Sequence, residues 1–232
     1  MITIRKASER GNTKLGWLNS YHSFSFGNYY DPKNIHFRHL RVINDDYIAP
    51  KGGFGTHPHN DMEIITFVSK GKLEHKDSLG NGSIIREGEI QKMSAGSGIL
   101  HSEFNPSDTE DVHLYQIWLI PEQKGITPSY DQIKYDREKA KNDFLLLASP
   151  EKQPDVIHIH QDANLYLSTL DKDTEIKYPI SASRNVWVQV VKGDLELNNQ
   201  PLATGDGVAV TDETELNFKG LSTSEILLFD LN

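Results

Sequence analysis

The chain has 232 residues, 37% hydrophobic and 25% charged, so it can bury one large core or two small ones. Its formal net charge of −9 argues against nucleic acid as a direct partner. It has no cysteine, so any metal site must use histidine and carboxylates. No apolar run approaches the ~20 residues that span a bilayer. We therefore expect a cytoplasmic protein, monomeric and without a membrane partner.

Short runs rich in Val, Ile, Tyr and Phe recur along the chain between Gly, Asn, Asp and Pro residues. Examples are residues 64–68, 114–120, 186–191 and 226–231. Many short strands separated by turns are typical of an all-β sandwich or barrel. The polar stretch 130–142 is the best domain boundary. We predict an N-terminal metal-binding domain at 1–135 and a second domain at 136–232.

An internal repeat supports two domains of the same design. Residues 68–74 (Val-Ser-Lys-Gly-Lys-Leu-Glu) match residues 190–196 (Val-Val-Lys-Gly-Asp-Leu-Glu) at five of seven positions. A Gly-acid pair follows each copy, Gly88-Glu89 in the first and Gly205-Asp206 in the second. Lys-Gly-x-Leu-Glu is also a common hairpin sequence, but the second match favours duplication into two barrels.

Two segments of the first half place candidate metal ligands two residues apart. His57 and His59 flank Pro58, and His101 and Glu103 flank Ser102. Residues i and i+2 of a strand share a face, about 6.6 Å apart along the chain. Two such strands facing each other would supply three imidazoles and one carboxylate. That set suits iron, manganese, nickel, copper or zinc, and six-coordinate iron would keep two open positions.

The second copy of the repeat serves as an internal control for these ligands. A shift of 122 residues aligns His57, His59 and Glu63 with Pro179, Ser181 and Asn185. A shift of 117 residues aligns His101 and Glu103 with Phe218 and Gly220. If both copies share a fold, that fold does not need the ligands. Their presence in one copy then indicates function.

These segments resemble the two motifs of the cupin superfamily. The first motif corresponds to His57, His59 and Glu63, and the second to Gly88, His101 and Asn105. The spacing from Glu63 to Gly71 is one residue longer than the usual cupin pattern, and Ser94 stands where many cupins have proline.

Those departures resemble the pirin family in particular. The pirin-like segments are His57-Pro58-His59, Met93-Ser94-Ala95-Gly96 with His101-Ser102-Glu103, Gly16-Trp17, Ser23-Phe24-Ser25-Phe26 and Tyr29-Tyr30-Asp31-Pro32. The resemblance implies a bicupin, two β-barrels with few short helices. It also implies one divalent metal ion held by His57, His59, His101 and Glu103 in the N-terminal barrel. Iron is our first choice, with zinc, manganese, nickel, copper and cobalt as alternatives.

The length and the degenerate second barrel resemble the bacterial pirins that act as quercetin 2,3-dioxygenases, so the resemblance implies a dioxygenase that cleaves a flavonol with O2 and releases CO. Glu103 or Glu63 would accept the proton of the flavonol 3-hydroxyl. Glu63 is an even number of residues from His57 and His59, so in a regular strand it would lie on the same face and could line the same cavity. We interpret Glu63 as a residue that supports the metal ligands and does not itself bind the metal. The alternative is a non-enzymatic, metal-dependent and redox-sensing partner of transcription factors, as other pirins are. A cupin enzyme acting on another small molecule is a third possibility.

The remaining histidines give no comparable pattern. His158 and His160 form a second His-x-His, but no glutamate and no His-x-Glu partner follows, so we predict a surface strand. No role is predicted for His22, His36, His39, His75 or His113. Metal affinity should fall as pH drops through about 6, because only neutral imidazole binds metal.

Overall fold

The computed structural model describes residues 1–232 and is built almost wholly of strands. In chain order they are β1 (Ile2–Arg5), β2 (Gly11–Lys14), β3 (Leu18–His22), β4 (Leu40–Ile48), β5 (Gly53–His59), β6 (Glu63–Lys70), β7 (Lys72–Asp77), β8 (Gly82–Arg86), β9 (Glu89–Ser94), β10 (Ile99–Phe104), β11 (Val112–Leu119), β12 (Ser129–Lys134), β13 (Leu145–Ser149), β14 (Ile157–His158), β15 (Ala163–Leu170), β16 (Glu175–Pro179), β17 (Asn185–Lys192), β18 (Leu195–Leu197), β19 (Gln200–Leu202), β20 (Gly207–Val210), β21 (Glu215–Gly220) and β22 (Ser224–Leu231).

Helix is limited to two short 3₁₀ segments, Ala7–Glu9 and Arg137–Ala140. Neither has the length or the apolar character that crossing a membrane would require. The prediction of an all-β chain with few short helices is confirmed.

The chain forms two compact units, and neither is a single stretch of sequence. The N-terminal unit holds residues 11–135 and 151–161, and the C-terminal unit holds residues 1–10, 136–150 and 162–232. The predicted contiguous division at 135/136 therefore assigns two segments differently. The first ten residues belong to the C-terminal unit because β1 pairs along its length with β20, from Ile2 opposite Val210 to Arg5 opposite Gly207.

The N-terminal unit consists of two antiparallel sheets. The larger has the strand order β12-β9-β6-β11-β4-β3-β2, and the smaller has the order β5-β10-β7-β8. Apolar side chains from both sheets meet between them, with Val68 and Leu114 from the larger and Leu73 and Ile85 from the smaller. β4, β6, β9 and β11 are buried along nearly their whole length, because both faces of these central strands are covered.

The C-terminal unit repeats this topology. Its sheets have the orders β1-β20-β17-β22-β15-β13 and β16-β21-β18-β19. Strands β4 to β11 of the N-terminal unit correspond, in chain order, to strands β15 to β22 of the C-terminal unit. Corresponding strands have the same neighbours in the two sheets. Its hydrophobic core includes Val188, Leu216, Phe218 and Leu228.

The turns of the repeat confirm that the two copies fold alike. Gly71 and Gly193 both have positive φ, at 82° and 80°, and so do Gly88 and Gly205, at 83° and 86°. At Gly71 a Cβ atom would lie 2.9 Å from the carbonyl oxygen of Asp111, and at Gly193 one would lie 2.4 Å from that of Thr223. Glycine is required at both hairpins by backbone conformation and by close approach.

Strand pairing corrects the predicted alignment of the second ligand segment. Glu103 lies opposite His75 in the first unit, and Phe218 lies opposite Leu197 in the second, where Leu197 is 122 residues after His75. Phe218 thus corresponds to Glu103, and Leu216 corresponds to His101. The predicted shift of 117 residues is therefore two residues too long. Because side chains alternate along a strand, this error left the aligned residues on the correct face.

Candidate metal centre

Neighbouring strands β5 and β10 present the predicted ligands. His57 is paired with His101, but Glu103 is paired with Phe54 because the register shifts between His101 and Glu103. Between these two pairs β5 has two residues, Gly55 and Thr56, where β10 has only Ser102, which is a β-bulge. The corresponding strands β16 and β21 pair without a shift. Bulges re-aim side chains next to functional sites, and this one turns both Phe54 and His57 into the cavity.

Three imidazole rings converge at this point. Ring centroids lie 4.8 Å apart for His57 and His59, 4.5 Å for His57 and His101, and 4.9 Å for His59 and His101. The Nε2 atoms of His57 and His101 are 3.0 Å apart. Two nitrogens bound at right angles to one metal ion, each about 2.1 Å from it, would also lie about 3.0 Å apart. The spacing therefore matches two ligands of one ion.

Hydrogen bonding leaves the right nitrogens free for a metal. His57 Nδ1 lies 2.8 Å from the carbonyl oxygen of Gly55, to which only a protonated Nδ1 can donate. The Nε2 lone pair of His57 then points into the cluster. His59 Nε2 is buried and has no hydrogen-bond partner. Buried polar atoms rarely lack partners, so a three-imidazole cluster with an orphaned nitrogen fits a divalent metal ion.

Glu103 is the carboxylate that shares a candidate metal group with His101. Its two oxygens accept hydrogen bonds from Gln116 Nε2 at 3.1 and 2.9 Å, and Thr66 Oγ1 lies 3.5 Å from one of them. Its carboxylate groups with the ring nitrogens of His75 and His101, all within 4.8 Å of one another. His101 is thus common to the three-histidine group and to the group that contains Glu103.

Burial sets the protonation of these side chains. Desolvation, reinforced by neighbouring histidines, lowers the pKa of His59 to about 4 and that of His101 to about 2. Both rings are therefore neutral at pH 7, which is the form that binds metal. Burial raises the pKa of Glu103 above its usual range, partly offset by His75 and by the Gln116 hydrogen bonds.

The structure does not bring Glu63 to this cluster, contrary to the parity argument. Asp61, with φ of 48°, lies in the loop between β5 and β6 and interrupts the alternation of side chains. Ile64 consequently faces the cavity and Glu63 faces the other side of the sheet. There Glu63 Oε2 accepts hydrogen bonds from Ser94 Oγ at 3.0 Å and from the His160 backbone N–H at 3.1 Å.

A cavity of about 260 Å³ opens beside the cluster. Phe26, Phe54 and Trp118 line it, and the rings of Phe26 and Trp118 meet edge to face with centroids 5.3 Å apart. Trp118 also lies edge-on to His59, with centroids 4.9 Å apart. This volume lies near the small end of the range for ligand pockets, about 300–1,000 Å³. An aromatic-lined space of this size suits one small flat molecule.

Sequence reasoning missed several polar residues at this site. His22, Asn44, Asp46 and Gln116 line the cavity from β3, β4 and β11, and His75 on β7 lies beside His101 with ring centroids 5.3 Å apart. Only strand pairing brings them together, so no local spacing marks them. The available signal was the presence of polar residues, Asn44, Asp46 and Gln116, within segments otherwise rich in Val, Ile and Leu.

The second His-x-His has a structural role in the N-terminal unit. His158 ends β14, and His160 contacts Glu63 through both its backbone and its ring. The two rings lie 4.7 Å apart, but they belong to neither candidate metal group.

Comparison with known families divides the chain in the same way as its internal repeat. Residues 3–119 match the pirin family, and residues 146–231 match the quercetinase C-terminal cupin domain.

Curated relatives cover the whole chain. A quercetin 2,3-dioxygenase of Escherichia coli strain K12 is 52% identical over 231 residues, which is all of this chain and 99% of the relative. A putative quercetin 2,3-dioxygenase of Pseudomonas aeruginosa is 39% identical over the full length of both chains.

Solved structures agree in fold. The bacterial pirin YhhW from Escherichia coli, crystallised in complex with nickel(II), superposes with a TM-score of 0.95 at 51% identity, covering all of this chain and 99% of that one. A quercetin 2,3-dioxygenase from Acinetobacter baumannii superposes with a TM-score of 0.75 at 21% identity, over 96% of this chain and 85% of that one, which shows a shared fold. The predicted bicupin is confirmed, and the chain belongs to the pirin family.

Proposed function

We propose that this protein is a metal-dependent dioxygenase that cleaves a flavonol such as quercetin with O2 and releases CO. The observation that carries the proposal is the convergence of three imidazoles beside a buried carboxylate on an aromatic-lined cavity. The names of the full-length relatives support the same reaction class and substrate.

His57, His59, His101 and Glu103 would hold the metal ion, with iron as first choice and nickel supported by the solved relative. A metal ion held by these residues would supply Lewis-acid chemistry, which makes a substrate hydroxyl proton easier to remove. Both atoms of O2 would enter the opened product and one ring carbon would leave as CO, so the reaction needs no external reductant.

The protein's own residues would orient the flavonol and take its proton. The rings of Phe26, Phe54 and Trp118 would hold the flat substrate and keep water from the reacting atoms. Glu103 would accept the 3-hydroxyl proton, because burial raises its pKa and Gln116 fixes its position. Glu63 has no part in this scheme, since it lies on the other face of the sheet.

The test is turnover by metal-loaded protein. Protein stripped by a chelator and reloaded separately with iron, manganese, nickel, copper, cobalt or zinc is supplied with quercetin and O2. Loss of flavonol absorbance with equimolar O2 uptake and CO formation is expected with at least one metal. The H57A variant should lose this activity and the exposed-histidine variant H36A should keep it. Absence of turnover with every metal would refute the proposal.

A further inference from the structure

One wall of the cavity carries a carboxylate that the proposed chemistry does not use. Asp46 on β4 is 3% exposed and lines the cavity. Its Oδ1 atom is buried and has no hydrogen-bond partner. Ser20, opposite it on β3, hydrogen-bonds to its side chain. A buried acceptor held in place on one side and unpartnered on the other is the arrangement that a ligand donor would complete.

The other polar groups of this wall are already paired. His22 Nδ1 lies 2.7 Å from Asn44 Oδ1, and His22 Nε2 lies 2.8 Å from Thr13 Oγ1. Among the buried side-chain atoms of Ser20, His22, Asn44 and Asp46, only Asp46 Oδ1 lacks a hydrogen-bond partner. Burial raises the pKa of Asp46 to about 7, as expected for a carboxyl group that no cation neutralises.

The position of Asp46 sets the kind of ligand that could reach it. Gln116, which holds Glu103, is paired with Asn44 on β4, and Asp46 is two residues further along that strand. Such diagonal neighbours lie about 7–8 Å apart. Phe26 and Trp118 line the same cavity. The aromatic-lined cavity thus has hydrogen-bonding groups at two separate places, the Glu103–Gln116 pair and Asp46.

We propose that Asp46, positioned by Ser20, accepts a hydrogen bond from a hydroxyl group of the substrate remote from the metal, and so selects polyhydroxylated aromatic molecules. The inference rests on the proposed function for the class of ligand. It assigns Asp46 to binding and leaves proton transfer to Glu103. A ligand with only the metal-facing hydroxyl should gain nothing from Asp46.

Anaerobic calorimetric titration of nickel-loaded protein tests the inference separately from turnover. The probes are quercetin and 3-hydroxyflavone, which keeps the metal-facing hydroxyl and lacks the others. At about pH 8.5, above the pKa of Asp46, the wild-type protein should bind quercetin about tenfold or more tightly than 3-hydroxyflavone, since a hydrogen bond to a charged group is worth about that much. In D46L this ratio should fall to about 2 or less, and in D46N, which keeps an uncharged acceptor, it should fall to a value between those of D46L and the wild type. The Kd of 3-hydroxyflavone should change by less than about twofold in both variants.

Asp45 supplies the matched control. It precedes Asp46 on β4, faces away from the cavity and lies 2.7 Å from His113 Nε2, so D45N should keep the wild-type ratio. D46N preserves the side-chain shape if D46L does not fold, and both variants should bind nickel as the wild type does.

An unchanged ratio in the Asp46 variants, an equal loss for both probes, or no binding of either probe to the wild type would overturn the inference. Selectivity lost in the Asp46 variants without turnover by any metal form would refute the proposed function and leave the inference standing. Turnover of quercetin together with an unchanged affinity ratio in the Asp46 variants would support the proposed function and refute the inference.

Discussion

The two units of this chain have one topology and opposite interiors. The positions of His101 and Glu103 in the N-terminal unit are occupied by Leu216 and Phe218 in the C-terminal unit. Leu216 and Phe218 are buried in a hydrophobic cluster. The fold is therefore complete without ligating side chains at these positions. The histidine cluster and its buried carboxylate are additions that the architecture does not require, which is the strongest structural argument that they serve function.

The largest expected effect comes from replacing His101 with leucine, the residue at the corresponding position of the C-terminal unit. H101L should weaken metal binding at least about 100-fold, since a structural site worth about 10–16 kcal/mol divides among four ligands. The metal-free variant should unfold within about 1 kcal/mol of the metal-free wild type, because leucine fills the space of an uncharged ring. Metal titration and denaturant unfolding measure the two quantities. Metal binding kept by H101L would contradict the assignment.

Substitution of Glu103 should affect catalysis, and substitution of Glu63 should affect stability. E103Q should lower kcat/KM for the flavonol about 100-fold or more, as loss of a proton acceptor does. E63Q should leave kcat/KM within about twofold and lower the free energy of unfolding by about 1–3 kcal/mol, because Glu63 accepts buried hydrogen bonds. Steady-state kinetics and unfolding of both variants check this. A large kinetic loss in E63Q would restore the role that parity predicted.

The pH dependence of metal binding should be shallower than the sequence predicts. A proton competes with metal below the pKa of each ligand, so three ordinary histidines of pKa about 6.5 would cost about 30-fold each at pH 5. Because the pKa of His59 is about 4 and that of His101 is about 2, both stay neutral there. The affinity should therefore fall less between pH 7 and pH 5 than it would for three ordinary histidines. Titrations in buffers across that range would expose a steeper drop.

The smallest effect concerns the hairpin glycines that the two units share. G71A and G193A should each lower stability by about 1–3 kcal/mol, because alanine at positive φ is strained. G193A should cost more, since its Cβ would lie 2.4 Å from a carbonyl oxygen where that of G71A would lie 2.9 Å away. Calorimetric melting of the two variants tests this. A neutral effect at either position would break the equivalence of the two hairpins.

The sequence predicted the fold class and the ligand segments because both depend on local patterns. Alternation along a strand placed His57 with His59 and His101 with Glu103. It failed for Glu63 because one loop residue of positive φ, Asp61, intervenes. It could not find Asp46, Gln116 or the other polar residues contributed by separate strands, since strand pairing alone assembles them.

The most direct test of the metal centre is an anomalous difference map from crystals of the metal-loaded protein, recorded at the absorption edge of the metal. A single peak per chain is predicted, about 2.0–2.3 Å from the Nε2 atoms of His57, His59 and His101 and from an oxygen of Glu103. A peak held by His75, a peak in the C-terminal unit, or no ordered peak at this cluster would contradict the account.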